Sequence, residues 1–483
     1  MLRAVMVFCL LTLPAMGAET LRIGIAEVEI TPPTGFPMAG YYHERLATGT
    51  RDPLKAKAIV FLSDQAQAAW VVADLTGIAV DLSHAVRTKA AQGTGIPAEH
   101  IILSATHSHT APDYTKSLYE LLGKAPSTPR TEYAAKLIDG IAAAIAKAHA
   151  AAVPGQILAG SAQQETPVSF NRRFLQRDGS VRTWVGLKHP ETVRAAGPID
   201  PELGLVRINT TDGKPLGVLS NFALHLDTVG GQQWCADYPY GIEQALRTAL
   251  KSDVVSIFGT GCCGDINHAD TTSPQRLTTV EIGSSLGETA VRGLETLTPV
   301  EAPRLQVRRA VVPLPLQEVS KAEATQALQL VRAIQKGEKV EFLNHVTAYK
   351  HLFLDRLRDK NATDEAIPFV SLGLSHQWNG IGDELPVEIH VITLGSEVAI
   401  VTLPGEVFVD LGLAIKRASP FRTTFVVELS QAVETIYIPT RAAVAGGSYE
   451  VTNSTVQPGS GELLVEAAIH LLRESASAVT TSK

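Results

Sequence analysis

Cysteine is scarce in this chain. It carries four, and Cys9 sits inside an apolar run at the N-terminus. The other three are Cys235, Cys262 and Cys263, with no CxxC pair among them, which excludes cysteine zinc ribbons and a disulfide-stapled scaffold. An odd count leaves room for one bridge, and Cys235 with one of the adjacent pair is less strained than a vicinal ring. Clusters of Lys or Arg are also missing. A net charge of −7 spread along the chain argues against a nucleic-acid partner and against electrostatic docking on anionic membranes. Beyond the N-terminal run no apolar stretch reaches the ~20 residues needed to span a bilayer, so no transmembrane anchor is expected. Internal repeats and long Pro/Gly/Ser linkers are absent, and nothing divides the chain.

The N-terminus itself has a recognisable order. Arg3 precedes the apolar stretch from Ala4 to Leu13, and the small residues Ala15, Gly17 and Ala18 follow. This is the charged, apolar, small-residue sequence of a cleavable signal peptide, assigned to residues 1–17. The mature protein is therefore expected to be secreted or periplasmic.

Extended runs alternate with helical ones in the rest of the chain. Leu21 to Ile30 reads as a strand, and Ala56 to Leu62 with Ala68 to Ala73 as a hairpin. Helices are predicted from Tyr133 to Ala152, from Tyr240 to Leu250, over much of Ser320 to Arg358, from about Val407 to Ala418, and from Gly461 to Ser475. The expected fold is α/β: one large domain over residues 18–475 with a mixed β-sheet core flanked by helices and an active site at strand ends. Residues 476–483 read as a disordered tail.

Polar residues stand where several apolar runs end. Ile101 to Ala105 runs into Thr106-His107-Ser108-His109-Thr110, and on a continuing strand His107 and His109 would share a face. His225 ends Asn221-Phe222-Ala223-Leu224-His225, Glu406 follows Pro404-Gly405, and Tyr437 lies in the short extended piece Ile436-Tyr437-Ile438. Ligands of open α/β sheets collect outside strand ends, and imidazoles with a carboxylate and a phenolate suit zinc. Singly each residue has a plainer reading: His225 as a satisfied core histidine, Glu406 as a helix N-terminal acid, Tyr437 as a packing residue.

The ordered set of motifs resembles the neutral/alkaline non-lysosomal ceramidases. The resemblance is carried by Gly24-Ile25-Ala26-Glu27-Val28-Glu29-Ile30-Thr31-Pro32, Ala39-Gly40-Tyr41, Thr106-His107-Ser108-His109, Phe170-Asn171-Arg172, Asn221 to His225, Gly264-Asp265-Ile266-Asn267, Pro404-Gly405-Glu406, Tyr437-Ile438-Pro439-Thr440 and Tyr449-Glu450. It implies a single Zn2+ held by His107, His225, Glu406 and Tyr437, with His109 and Arg172 as substrate-contacting groups. It also implies a hydrolase of linear amides, N-acylsphingosine or a related N-acyl lipid. A hydrolase of a different amide or ester, or a non-catalytic metal-containing binding protein, are the alternatives.

Two departures from the family pattern bear on mechanism. The position of the family's catalytic serine is Asn267, which has no hydroxyl and cannot form an acyl-enzyme. What remains open is attack by a metal-activated water, with Asn267 as an oxyanion donor, His109 or His268 moving protons, and Asp265 orienting a histidine or capping the next turn. The chain also ends soon after the Tyr-Glu element, so the family's additional C-terminal domain is expected to be missing. The helical region from Lys321 to Asp364 matches no motif; it could shape the mouth of the site or pack on the surface.

Overall fold

The computed structural model describes residues 21–123, 127–360 and 375–480. The signal-peptide assignment, the end of the helical region at 361–364, and residues 481–483 lie outside them.

The strand Lys55–Leu62 shows how the architecture follows from the sequence. Its side chains alternate, and both faces are apolar. Ala56, Ala58 and Val60 join a core formed with helices, whereas Ile59 and Phe61 join another formed with a second sheet. A strand apolar on both faces must be covered on both. The small alanines let a helix approach closely on one side. Gln67–Ala73 repeats the pattern, with Ala69 and Val71 towards the helices and Trp70 and Val72 towards the other sheet.

The larger sheet has the order Val255–Thr260, Pro215–Phe222, Glu202–Thr210, Val153–Gln163, Arg22–Glu29, Lys55–Leu62, Gln67–Ala73, Ile101–Ala105. Its interior pairs are antiparallel and both outermost pairs are parallel. The sheet curls until its two edges meet: Thr260 Oγ1 donates to Thr106 O at 2.8 Å. The second sheet runs Leu305–Pro315, Glu384–Leu394, Val398–Thr402, Thr423–Val427, with only the last pair parallel. Helices Val80–Thr94 and Pro129–Ala150 cover one part of the large sheet, and Tyr238–Leu250 and Thr279–Leu294 another. Lys321–Gln335, Phe342–Arg358, Val409–Ala418 and Ser460–Thr480 cover the outer face of the second sheet.

The fold is thus α/β with a large mixed sheet flanked by helices, as the sequence implied; a second, four-stranded mixed sheet stacks against it, and shorter ladders lie outside both. Other expectations need correction. All three described cysteines are free and buried, so no bridge forms. Cys235 donates its thiol to Asp52 instead, and Cys263 donates to Glu428. The final helix runs to Thr480, past the point where a disordered tail was expected. Its Ser475 is buried and hydrogen-bonds Leu471 O and Arg308, which carries the helix past the predicted stop. No described helix is long and apolar enough to cross a membrane.

Gly24 marks the closest approach of the Arg22–Glu29 strand to the Pro129–Ala150 helix. A Cβ there would lie 1.8 Å from Ala148 O, a backbone atom that cannot rotate away. Gly24→Ala should therefore lower stability by about 2–3 kcal/mol through overpacking, read as a reduced urea midpoint at unchanged m-value. An unchanged midpoint would mean that the helix can shift.

Candidate metal and hydrolytic site

The strand Ile101–Ala105 stops two residues before the first histidine. His107 then takes a left-handed conformation, φ 74°, and its N–H donates to Leu75 O. The two histidines therefore converge through a turn, not through strand alternation. Such a φ in a non-glycine residue costs roughly 1–3 kcal/mol and persists only when its surroundings enforce it. The turn is tied to the second histidine segment by His109 N–H donating to Leu226 O at 3.0 Å. That segment leaves Pro215–Phe222, one strand in from the opposite edge of the curled sheet.

Glu406 and Tyr437 arrive together. Glu406–Val407 and Tyr437–Ile438 form a two-residue parallel ladder in which Glu406 is paired with Tyr437. Gly405 makes the preceding turn at φ 60°, and a Cβ there would meet Thr435 Oγ1 at 2.1 Å. Only glycine fits that corner, which accounts for the Pro-Gly-Glu pattern.

At the centre, His107 Nε2 lies 3.0 Å from His225 Nε2 and 3.2 Å from His109 Nε2. Glu406 Oε2 is 3.4 Å from His107 Nε2 and 3.7 Å from His225 Nε2. Each ligand-type histidine turns its other nitrogen to a backbone carbonyl. His107 Nδ1 is 2.6 Å from Thr76 O, and His225 Nδ1 is 3.3 Å from Cys263 O. A carbonyl oxygen only accepts, so both rings carry their proton on Nδ1 and point an Nε2 lone pair inward. Buried Glu406 Oε2 has no hydrogen-bond donor. Lone pairs aimed at one another without a proton between them need a cation, and this donor set fits a divalent metal of the zinc type. The three imidazoles alone also form a group that could hold a metal ion.

The electrostatics favour the neutral imidazoles of His225 and His109. Burial lowers the pKa of His225 well below its ordinary value, and Arg172 adds to this. Burial brings His109 down to about 4, against the opposing pull of Asp227. Burial opposes ionisation of Glu406, yet His107 and Arg172 hold its carboxyl below the usual range. Burial and the Glu406 charge push the Tyr437 phenol up, with Arg172 opposing.

Arg172 Nη2 donates to Tyr437 Oη at 3.0 Å and to Gly264 O at 2.8 Å, and its Nε donates to buried Glu450. Asn267 lies on the wall of a cavity of about 300 Å³ that also contains Arg172, His225, Asp227 and His268. Its Oδ1 accepts from Ala269 N–H, which leaves the amide nitrogen as the donor end. Asp265 touches no histidine. Its oxygens accept from Asn171 Nδ2 and from Val409 N–H, the first residue of the next helix, so it acts as a cap brought from far away in sequence. A second cavity, about 530 Å³, contains His107, His109, Glu406 and Tyr437, and helices Lys321–Gln335 and Phe342–Arg358 contribute to its wall.

Residues 21–235 match the family model described as neutral/alkaline non-lysosomal ceramidase, N-terminal. The neutral ceramidase of Pseudomonas aeruginosa is 26% identical over 226 residues, which is 44% of this chain and 32% of that protein. The chain thus aligns with about a third of the length of this curated relative. The crystal structure of neutral ceramidase from Pseudomonas aeruginosa superposes with a TM-score of 0.68 at 19% identity, covering 94% of this chain and 75% of the other. A ceramidase complexed with C2 gives 0.67, also at 19% identity, covering 95% and 76%. The N-terminal part of the chain is similar to the neutral/alkaline ceramidases. The ceramidase-like fold of the chain extends through both sheets, but the family match ends before Asp265, Asn267, Glu406 and Tyr437, and the place of Glu406 beside the histidines rests on geometry.

The sequence reading passed over Glu428, although it too ends an apolar strand, Thr423–Val427. Its Oε2 accepts Val407 N–H at 2.6 Å and its Oε1 accepts the Cys263 thiol at 3.0 Å. It thereby ties the backbone beside Glu406 to the loop whose carbonyl orients His225. Glu428→Ala should lower stability by about 1–3 kcal/mol and weaken metal binding roughly 10–100-fold, while Glu428→Gln keeps most of both. Equal metal affinity in the two variants, measured by chelator competition, would remove Glu428 from this role.

Proposed function

We propose that this chain is an exported, zinc-dependent hydrolase of linear amides, with His107, His225, Glu406 and Tyr437 holding the metal. The observation that carries the reading is the convergence of two Nε2 lone pairs on a carboxylate oxygen that no proton satisfies. Bound Zn2+ would polarise the scissile carbonyl and lower the pKa of a water in the site. Arg172 fixes Tyr437 and keeps positive charge beside the reacting centre. Asn267 donates its amide N–H to the oxyanion that forms on the carbonyl. His109, neutral and 3.2 Å from His107, accepts the proton of the attacking water, and His268, in the smaller cavity, returns one to the departing amine. Asn267 rules out acyl transfer to a side chain at that position, so water adds directly to the carbonyl and the tetrahedral oxyanion collapses with loss of the amine, leaving no acyl-enzyme.

The family match supports an N-acyl lipid such as N-acylsphingosine as the substrate. A different amide or ester is the second reading, favoured by Asn267 standing where the family has its serine. The charged, apolar, small-residue order of residues 1–17 supports a secreted or periplasmic location.

Elemental analysis of the mature protein should find one zinc per chain, and His225→Ala and Glu406→Ala should lose it. His109→Ala should keep the metal and lose about 10²–10⁴-fold in kcat. Loss of zinc in His109→Ala with retention in Glu406→Ala would replace this ligand set by the three imidazoles. Asn267→Ala should also keep the metal while kcat falls about 10²–10³-fold; an unchanged kcat would exclude the oxyanion role. Dialysis against a chelator should abolish amide hydrolysis and added Zn2+ restore it. Protein that neither contains nor takes up metal would overturn the proposal.

A further inference from the structure

Ala39-Gly40-Tyr41 holds none of the proposed ligands, yet it closes over His109. It lies in the connection between Pro37–Met38 and Arg45–Leu46, which pair as a short antiparallel ladder. Gly40 has φ 98°, and a Cβ there would lie 2.8 Å from both Cα and Cβ of His109. Only glycine lets the loop run so close to the ring. Buried Arg45 fastens the loop to the histidine, its Nη2 donating to Ala39 O and to His109 O. The same guanidinium lies 4.0 Å over the Tyr41 ring, which meets His109 edge-on at 5.7 Å between centroids. Tyr41 Oη then donates to Asp227 Oδ1 at 2.6 Å, and that oxygen is 3.8 Å from His109 Nδ1. A carboxylate oxygen has two lone pairs, so Tyr41 leaves one of them for the ring.

His109 Nδ1 is buried and has no hydrogen-bond partner. A neutral imidazole carries one proton, and it has two places to go. On Nε2 it would point at His107 Nε2, 3.2 Å away, whose lone pair is the one a metal would take. On Nδ1 it faces Asp227. A contraction of about 1 Å brings that pair into hydrogen-bond range, and the partly exposed Asp227 side chain has room to make it. We infer that Asp227, aimed by Tyr41, is a positioning residue that keeps the His109 proton on Nδ1 and turns the Nε2 lone pair towards the metal site. The inference rests on the reading that His107 Nε2 is a metal ligand. Its physical basis is that the partner of one ring nitrogen sets the state of the other.

The test reads the His109 tautomer in zinc-loaded full-length protein by two-bond proton–nitrogen NMR of isotope-labelled histidine, with His109→Gln to assign the ring. The wild-type proton should sit on Nδ1. Asp227→Ala should move it to Nε2 or leave a mixture, keep the zinc, and lower kcat on a chromogenic N-acyl anilide about 10–100-fold at little-changed KM. Tyr41→Phe removes one hydroxyl and leaves the loop packed; it should shift both readouts in the same direction by less. A tautomer that neither variant moves, or a moved tautomer with unchanged kcat, would overturn the inference and leave the metal assignment standing. Loss of zinc in Asp227→Ala would overturn it too, because the carboxylate would then act on the ligands themselves. Wild-type protein that takes up no zinc would overturn the proposed function. If His109 in that protein still kept its proton on Nδ1, and lost it from there in Asp227→Ala, the positioning role would stand.

Discussion

Two hydrogen bonds from imidazole nitrogens to backbone carbonyls decide what this site can be. With Thr76 O and Cys263 O as partners, His107 and His225 have no choice of tautomer. Were either ring reversed, an N–H would point at its neighbour, and the two would form an ordinary buried hydrogen bond needing nothing further. Held as they are, they present two lone pairs beside a carboxylate, an arrangement that is repulsive without a cation. Backbone carbonyls are the more rigid choice for this task, since they belong to the loops that leave the sheets. The left-handed turn at His107 is one cost of that rigidity, and the junction of the two sheet edges at Thr106 and Thr260 helps to offset it.

Buried carboxylates connect this centre to the rest of the molecule. Glu450, with no exposure, receives Arg172 Nε and Arg173 Nη1 and so orients the guanidinium that reaches Tyr437. Asp265 holds the helix that follows Glu406, and burial raises its pKa to about 6. Glu428 is pushed far above the carboxylate range by burial, which keeps it a neutral tie able to sit close to Glu406 without adding charge. An ionised acid in that place would compete with Glu406 for the same positive field. Acids with opposite protonation preferences so close together are what a site needs if it is to be both well anchored and limited in charge.

Much of this was legible in the sequence. Apolar runs ending in His107, His225 and Glu406 announced themselves because a buried strand has no use for a polar side chain at its end. Helix positions followed from periodicity, although the start at Pro129 was placed four residues late because the Thr128 cap looks like loop. The stacking of two sheets was not legible. A strand such as Lys55–Leu62 is apolar on both faces whether helices or a second sheet cover it, so the pattern is degenerate. Glu428 and the Thr76 carbonyl were invisible for a different reason. One acts through backbone atoms of its neighbours, and the other contributes no side chain at all. The pairing of Glu406 with Tyr437 depends on a ladder two residues long, below what any periodicity can signal.

The molecule also separates the histidine cluster from the wall of the cavity beside it. The cluster is fixed by backbone pairing between strands that are buried on both faces, and a change there propagates into the cores of both sheets. Part of the wall of the larger cavity comes from the segment Pro37 to Glu44 and from the helices Lys321–Gln335 and Phe342–Arg358, which lie outside the second sheet and bear on the site only through side chains. Tyr349 or Lys350 can be replaced without disturbing a single hydrogen bond of the histidine turn. The side chains of the cavity wall can therefore change while the cluster stays constant. A ceramidase-like fold at 19% identity therefore leaves the choice of substrate open, because fold does not fix what a site grafted on it accepts.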